Sequence, residues 1–151
     1  NSVDVMCFLD VLELLIEPQR ALHEAARVLV PGGRLVINVP AHRWLWSEAD
    51  EVLGHVRRYT RALLRQQLAD TGFRPVLLTH VFSWLVGPVL LKRRLSGGRV
   101  PELGLDQSSV SLDRAAMVLT SVERALLARV TSPLGTSILC VAVKAQVSDR
   151  N

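Results

Sequence analysis

The chain lacks most of what marks a metal enzyme, a nucleotide hydrolase or a covalent-nucleophile enzyme. It has two cysteines in 151 residues, Cys7 and Cys140, and neither stands at metal-ligand spacing. Both lie inside apolar, strand-like runs, which predicts buried free thiols in a reducing, cytoplasmic compartment. There is no phosphate loop and no G-x-S-x-G nucleophile elbow. None of the nine glycines has the strand-to-helix G-x-G-x-x-G setting that lets backbone amides approach a ligand. The longest apolar run, Val81 to Leu91, is shorter than the roughly 20 residues a helix needs to cross a bilayer. Internal repeats and low-complexity blocks are absent.

What is present fits one domain with a sizeable core, since 49% of the chain is hydrophobic and its length matches the usual single-domain size. Net charge is +4, from 18 Lys+Arg against 14 Asp+Glu. The arginines are spread along helical faces and no basic run alternates with stacking aromatics, which argues against nucleic acid.

The chain opens on Val3 to Leu9, an almost unbroken apolar run of strand length, as in a strand covered on both faces. It leads into the acidic turn Asp10-Val11-Leu12-Glu13. In parallel sheets with helices on both faces, ligands bind at the carboxyl ends of the strands, so Phe8 to Glu13 is the first candidate binding edge. Glu13 and Glu17 can equally favour the dipole of the next helix, and Asp10 can do that or touch ligand. The first residue is Asn1 rather than Met and no loop or helix precedes this strand, so a missing N-terminal segment is expected.

Pro18 suits a first helical residue, and Ala21, Leu22, Ala25, Val28 and Leu29 recur on one face. Pro31-Gly32-Gly33 should stop that helix. Arg34 to Pro40 then closes a right-handed strand-helix-strand unit. The stretch Ala41 to Tyr59 has little periodicity but is too apolar for disorder, which predicts a folded lid over the carboxyl edge. Thr60 reads as the N-cap of a helix to Thr71, followed by a marginal strand, Phe73 to Thr79, that carries Pro75. Val81 to Leu91 reads as a packed helix or, with Lys92-Arg93-Arg94 behind it, a membrane-surface helix. Ser96 to Ser111 reads as a polar connection, and about Leu112 to Val130 as a second helix of an insertion spanning 81–132. Ser137 to Lys144, apolar on both faces, belongs inside the sheet. Gln146 to Asn151 reads as a fraying end.

This order of elements resembles the C-terminal half of a class I S-adenosylmethionine-dependent methyltransferase. The matching residues are Val3-Asp4-Val5 leading to Leu9-Asp10-Val11-Leu12-Glu13, then Ala26-Arg27-Val28-Leu29-Val30-Pro31-Gly32-Gly33-Arg34-Leu35, Val39-Pro40 and Thr71-Gly72-Phe73. The resemblance implies an α/β, Rossmann-like fold: the last four strands of a seven-strand sheet, the final one antiparallel beside the fifth. It also implies S-adenosylmethionine as cofactor, with the glycine-rich loop and ribose-binding acid upstream of Asn1, in the missing half of the same domain. Phe8, Leu9 and Asp10 would then contact the methionine or sulfonium part. Where relatives often have Glu-His, this chain has Glu13-Leu14, so any role of that histidine is not carried over.

Methyl transfer needs mostly alignment, with a base only for a weakly acidic acceptor. No catalytic residue is assigned. His42, Asp50, His55 and Tyr59 are the acceptor-side candidates, with Trp44 and Trp46 as apolar walls; each has a structural alternative as a loop cap or core anchor. His23 and His80 read as structural. The expected acceptor is a small or lipid-linked molecule, with peripheral membrane contact through Val81 to Arg94; a non-catalytic membrane-surface or partner-docking module is the rival reading.

Overall fold

The computed structural model describes residues 2–95, 110–127 and 131–145. In chain order these form β1 (Val3–Leu9), α1 (Pro18–Val28), β2 (Leu29–Pro40), a 3-10 turn (Arg43–Leu45), α2 (Glu48–Val52), α3 (Arg61–Asp70), β3 (Phe73–Val81), α4 (Ser83–Leu95), α5 (Val110–Leu127) and β4 (Ser137–Lys144). The strands make one sheet in the order β1-β2-β4-β3. β1 and β2 are parallel, and β4 runs antiparallel to both of its neighbours. The last strand thus enters between the second and third, as its apolar sequence requires, and β3 with its proline lies at the margin.

α1 begins at Pro18, whose missing N–H is no loss at a helix start. It ends at Val28, earlier than the Pro-Gly-Gly turn suggests, because Leu29 already pairs with Val3. The register then slips so that Val5 faces Arg34, and Gly32 takes a φ of 78° inside the slip. Thr60 caps α3, its hydroxyl accepting from the Leu63 N–H at 3.1 Å. At Gly135, an added Cβ would collide with the backbone of Val81, so the last strand enters beside β3 only because this position lacks a side chain.

The core lies on one face of the sheet. Leu35, Ile37 and Val39 of β2 and Ile138, Cys140 and Ala142 of β4 point there and pack with Leu22 and Ala25 of α1 and Leu64 and Leu68 of α3. Full burial of each such leucine contributes about 2 kcal/mol. Burial pushes the Cys140 thiol up to about 12.

The other face corrects two expectations. β1 is covered on one side only: Phe8 packs against the core, whereas Val5 and Leu9 are 53% and 56% exposed. Cys7 shares that open face and is exposed rather than buried. An apolar run predicts strand formation but not how many faces are covered, because cover comes from other segments. The expected connection over Ser96 to Ser111 and the terminus from Gln146 fall, apart from positions 110 and 111 in α5, outside the described residues.

Candidate functional site

β1, β2 and β3 share one direction, so their carboxyl ends form one edge. Three non-glycine residues with left-handed backbone follow those ends: Asp10 (φ 53°), His42 (φ 59°) and Phe82 (φ 58°). This conformation costs a non-glycine residue of order 1–3 kcal/mol and persists only where surroundings enforce it. The surroundings are visible at each. Asp10 donates its N–H to the Asn38 carbonyl at 3.0 Å, and its carboxylate accepts from Asn38 Nδ2 at 3.0 Å. The His42 N–H reaches the Tyr59 carbonyl at 3.0 Å. The Phe82 and Ser83 N–H groups donate to the Glu123 carboxylate at 2.7 and 2.6 Å, and the Ser83 hydroxyl bonds the same group.

Residues 41–59 form the folded lid expected from sequence. Its centre is Asp50, 1% exposed. Asp50 accepts from Arg58 Nε and Nη2 at 2.8 and 2.9 Å, from the Ser47 N–H at 2.8 Å, and pairs with His55 Nδ1 at 2.9 Å. Burial by itself would raise this carboxyl; the bonds from Arg58, His55 and Ser47 outweigh it and hold it below its ordinary value. The lid is tied to the turn after β1 by Val56 N–H to Glu13 C=O at 2.8 Å, by Arg57 to the Leu15 and Ile16 carbonyls at 2.8 Å each, and by Tyr59 Oη to the Leu12 carbonyl at 3.2 Å.

A cavity of about 540 Å³ opens on the sheet face opposite the core at this edge. Leu9, Asp10 and Asn38 border one side, Leu77, Val81 and Leu139 the sheet floor, and Thr120 and Glu123 of α5 the far wall. Its size is that of a small-molecule pocket, and its surface is overwhelmingly apolar.

Of the three cofactor candidates, Leu9 and Asp10 border this cavity, while Phe8 points into the core on the opposite face. Successive strand residues alternate sides, so the Phe8 and Leu9 side chains face opposite ways. Of the acceptor-side candidates, Asp50 and His55 belong to the lid network. Tyr59 is fully buried with its hydroxyl on a backbone carbonyl, and burial pushes its phenol up to about 12. That phenol is a structural clamp. His42 stacks on His80 with ring centroids 4.8 Å apart, and its buried Nε2 has no hydrogen-bond partner among the described residues. Burial, then the neighbouring His80, Arg58 and Arg61, lowers the His42 value, which keeps the ring neutral near pH 7. Trp44 is 44% exposed beside His42, and the Trp46 indole donates to Glu51 at 3.4 Å.

Sequence reasoning missed two groups and the state of a third. Asn38 locks Asp10, which only the parallel register of β1 and β2 could reveal. Glu123 reaches the sheet edge from 40 residues away. Glu13 is fully buried, and among the described residues neither carboxylate oxygen meets a partner in good hydrogen-bond geometry. Burial, reinforced by the charge of Asp10, raises its pKa against the opposing pull of its own backbone N–H and of His55. Its place in an acidic turn gave no sign of burial.

A family model described as a methyltransferase domain matches residues 1–78. No curated protein matches the chain. Among solved structures, it resembles the complex of the Haloferax volcanii Trm112 methyltransferase activator with a protein assigned as a methyltransferase: TM-score 0.55, 19% identity, covering 96% of this chain and 55% of that one. It also resembles the [4+2]-cyclase SpnF, with TM-score 0.51 and 21% identity over 96% of this chain and 50% of that one. A third likeness is to the Haemonchus contortus phosphoethanolamine N-methyltransferase 2 in complex with S-adenosyl-L-methionine: TM-score 0.52, 17% identity, 95% of this chain and 33% of that one. The chain spans about half the length of the first two and a third of the last. At these identities the likeness speaks for the fold.

Proposed function

Because the chain belongs to the methyltransferase-domain family, of the class I S-adenosylmethionine-dependent type, we propose that it forms the methionine-side and acceptor-side part of a methyltransferase acting on a small or lipid-linked acceptor. The observation that carries this reading is the exposed pair Leu9-Asp10, held in a strained turn at the carboxyl edge and opening onto an apolar cavity. The residues present suit the methionine end of the cofactor: an apolar side chain for its thioether-like stem and a carboxylate for its positive charges.

S-adenosylmethionine supplies an electrophilic methyl group on a sulfonium. The chain's own contribution is placement. Asn38 fixes the Asp10 carboxylate, and the segment 41–59, riveted through Asp50 and tied to the turn at Glu13, Leu15 and Ile16, holds the edge rigid. Of the acceptor-side candidates none lines the cavity, and His42 stacks on His80, whose side chain shares the core face with Ile138.

Calorimetry of the intact protein with S-adenosylmethionine tests the reading. Binding should weaken at least tenfold in Asp10→Ala; absence of binding at millimolar cofactor refutes it.

One observation favours a second reading, a peripheral contact with a membrane surface on the cytoplasmic side. Leu90 and Leu91 of α4 are 42% and 59% exposed, directly before the sequence Lys92-Arg93-Arg94. Among the described residues no helix is long and apolar enough to cross a membrane. Co-sedimentation with anionic vesicles, lost on changing Leu90 and Leu91 to glutamate, is the expected result; equal sedimentation of the variant discards it.

A further inference from the structure

We propose that the methyl acceptor has an apolar body, and that the cavity between α5 and the sheet face opposite the core holds that body with the acceptor's reactive end directed to Asp10. The inference rests on the methyltransferase reading and names the substrate class for it.

The floor of the cavity is Leu77 and Val81 of β3 and Leu139 of β4, with Leu9 at the cofactor edge. Three of the polar side chains on its border are already engaged. Asp10 accepts from Asn38. The Thr79 hydroxyl donates to the His80 carbonyl at 3.2 Å and accepts from the Ser132 N–H at 2.9 Å. Glu123 is held by the Phe82 and Ser83 amides and the Ser83 hydroxyl. A polar molecule entering here would give up its hydration and find few free partners, whereas an apolar one would lose only unfavourable contact with water.

Position adds a second, independent argument. The cavity is continuous with Leu9 and Asp10, so a molecule seated in it ends beside the residues assigned to the cofactor. The left-handed turn at Phe82, pinned by Glu123, ties the start of α4 to α5 and so keeps that wall in place. A volume of about 540 Å³ admits a bicyclic ring system or a medium-length chain segment, and leaves a longer chain to continue outward.

The test uses the fluorescent apolar probe N-phenyl-1-naphthylamine with the intact protein, and calorimetry with S-adenosylmethionine in parallel. Thr120→Trp fills the cavity from the helix wall, and Leu77→Asn makes its floor polar. Probe binding should weaken at least tenfold in both variants while cofactor affinity stays within twofold. If one variant loses its native circular dichroism, the other decides. Failure of the probe to bind the intact protein, or binding indifferent to both variants, overturns the cavity assignment while cofactor binding stands. Probe binding without any cofactor binding overturns the acceptor assignment and the methyltransferase reading together.

Discussion

The substitution Asp50→Asn would test whether the segment between β2 and α3 is a rigid lid or a loosely held loop. Asp50 is 1% exposed and its Arg58 partner 14%. The pair is bidentate, with Nε and Nη2 at 2.8 and 2.9 Å, and the same carboxylate takes the Ser47 N–H and His55 Nδ1. Removing one partner of a buried ion pair strands the other charge and costs about 3–5 kcal/mol. The substituted amide would keep one acceptor oxygen, so the lower end, about 3 kcal/mol, applies. With a urea slope of about 2 kcal/mol/M, the unfolding midpoint should fall by about 1.5 M at pH 7. The acid dependence carries a sign. The folded Asp50 value lies below its unfolded value, so its stabilisation is complete above about pH 4 and is lost as pH falls through the folded value. The gap between wild type and Asp50→Asn should therefore close in acid. Urea titrations at pH 7 and at successively lower pH measure both. A midpoint change under about 0.5 M at pH 7 would place the pair with ordinary surface ion pairs and refute the reasoning, as would a gap that does not shrink in acid. In the same series His55→Ala should cost about 1 kcal/mol for one hydrogen bond. Lost turnover with an unchanged midpoint would instead make His55 an acceptor-side group.

Glu13 titrates in the opposite sense. Its folded value is raised, so the folded state prefers the protonated acid, and stability declines as pH rises from the unfolded value of about 4.3 through the folded one. Glu13→Gln should stabilise the protein at pH 8 and leave it unchanged near pH 4; thermal melts at both values check this, and destabilisation at pH 8 would show that the carboxylate has a partner at work. Tyr59→Phe removes the hydroxyl bond to the Leu12 carbonyl and should cost about 1 kcal/mol. Its kcat should hold within twofold; a large loss of kcat with its stability unchanged would restore Tyr59 as a base.

The fold was legible wherever a local rule has a single outcome. β1 and β4 have the bounds their apolar runs suggest, Pro18 opens α1, Thr60 caps α3 and Pro75 sends β3 to the margin. Each rests on backbone chemistry within a few residues. The site was legible only in part. Leu9 and Asp10 stand at the edge as expected, because strand ends in parallel sheets share a side. For Phe8, a ligand contact and a plain core position were both open in the sequence, and in the structure the pleat turns its side chain to the core. Asp50, His55 and Tyr59 share one loop with the right residue types for chemistry. Their hydrogen bonds go to Arg58, Ser47 and Leu12, and the spacing of residues in a loop does not encode such partners.

The sequence by itself determined the class of most of the described elements and the order of strands and helices, and that order carries the likeness to the methyltransferase family. Periodicity, caps and turn residues act over one or two helical turns, and a fixed order of such elements admits few topologies. The tertiary structure alone decided which face of the sheet is packed, that Glu13 is fully buried, and that Asn38 and Glu123 secure turns at the ligand edge. Those outcomes depend on contacts spanning 28 and 41 residues. Burial and hydrogen-bond partnership belong to pairs of segments, and no single segment carries them.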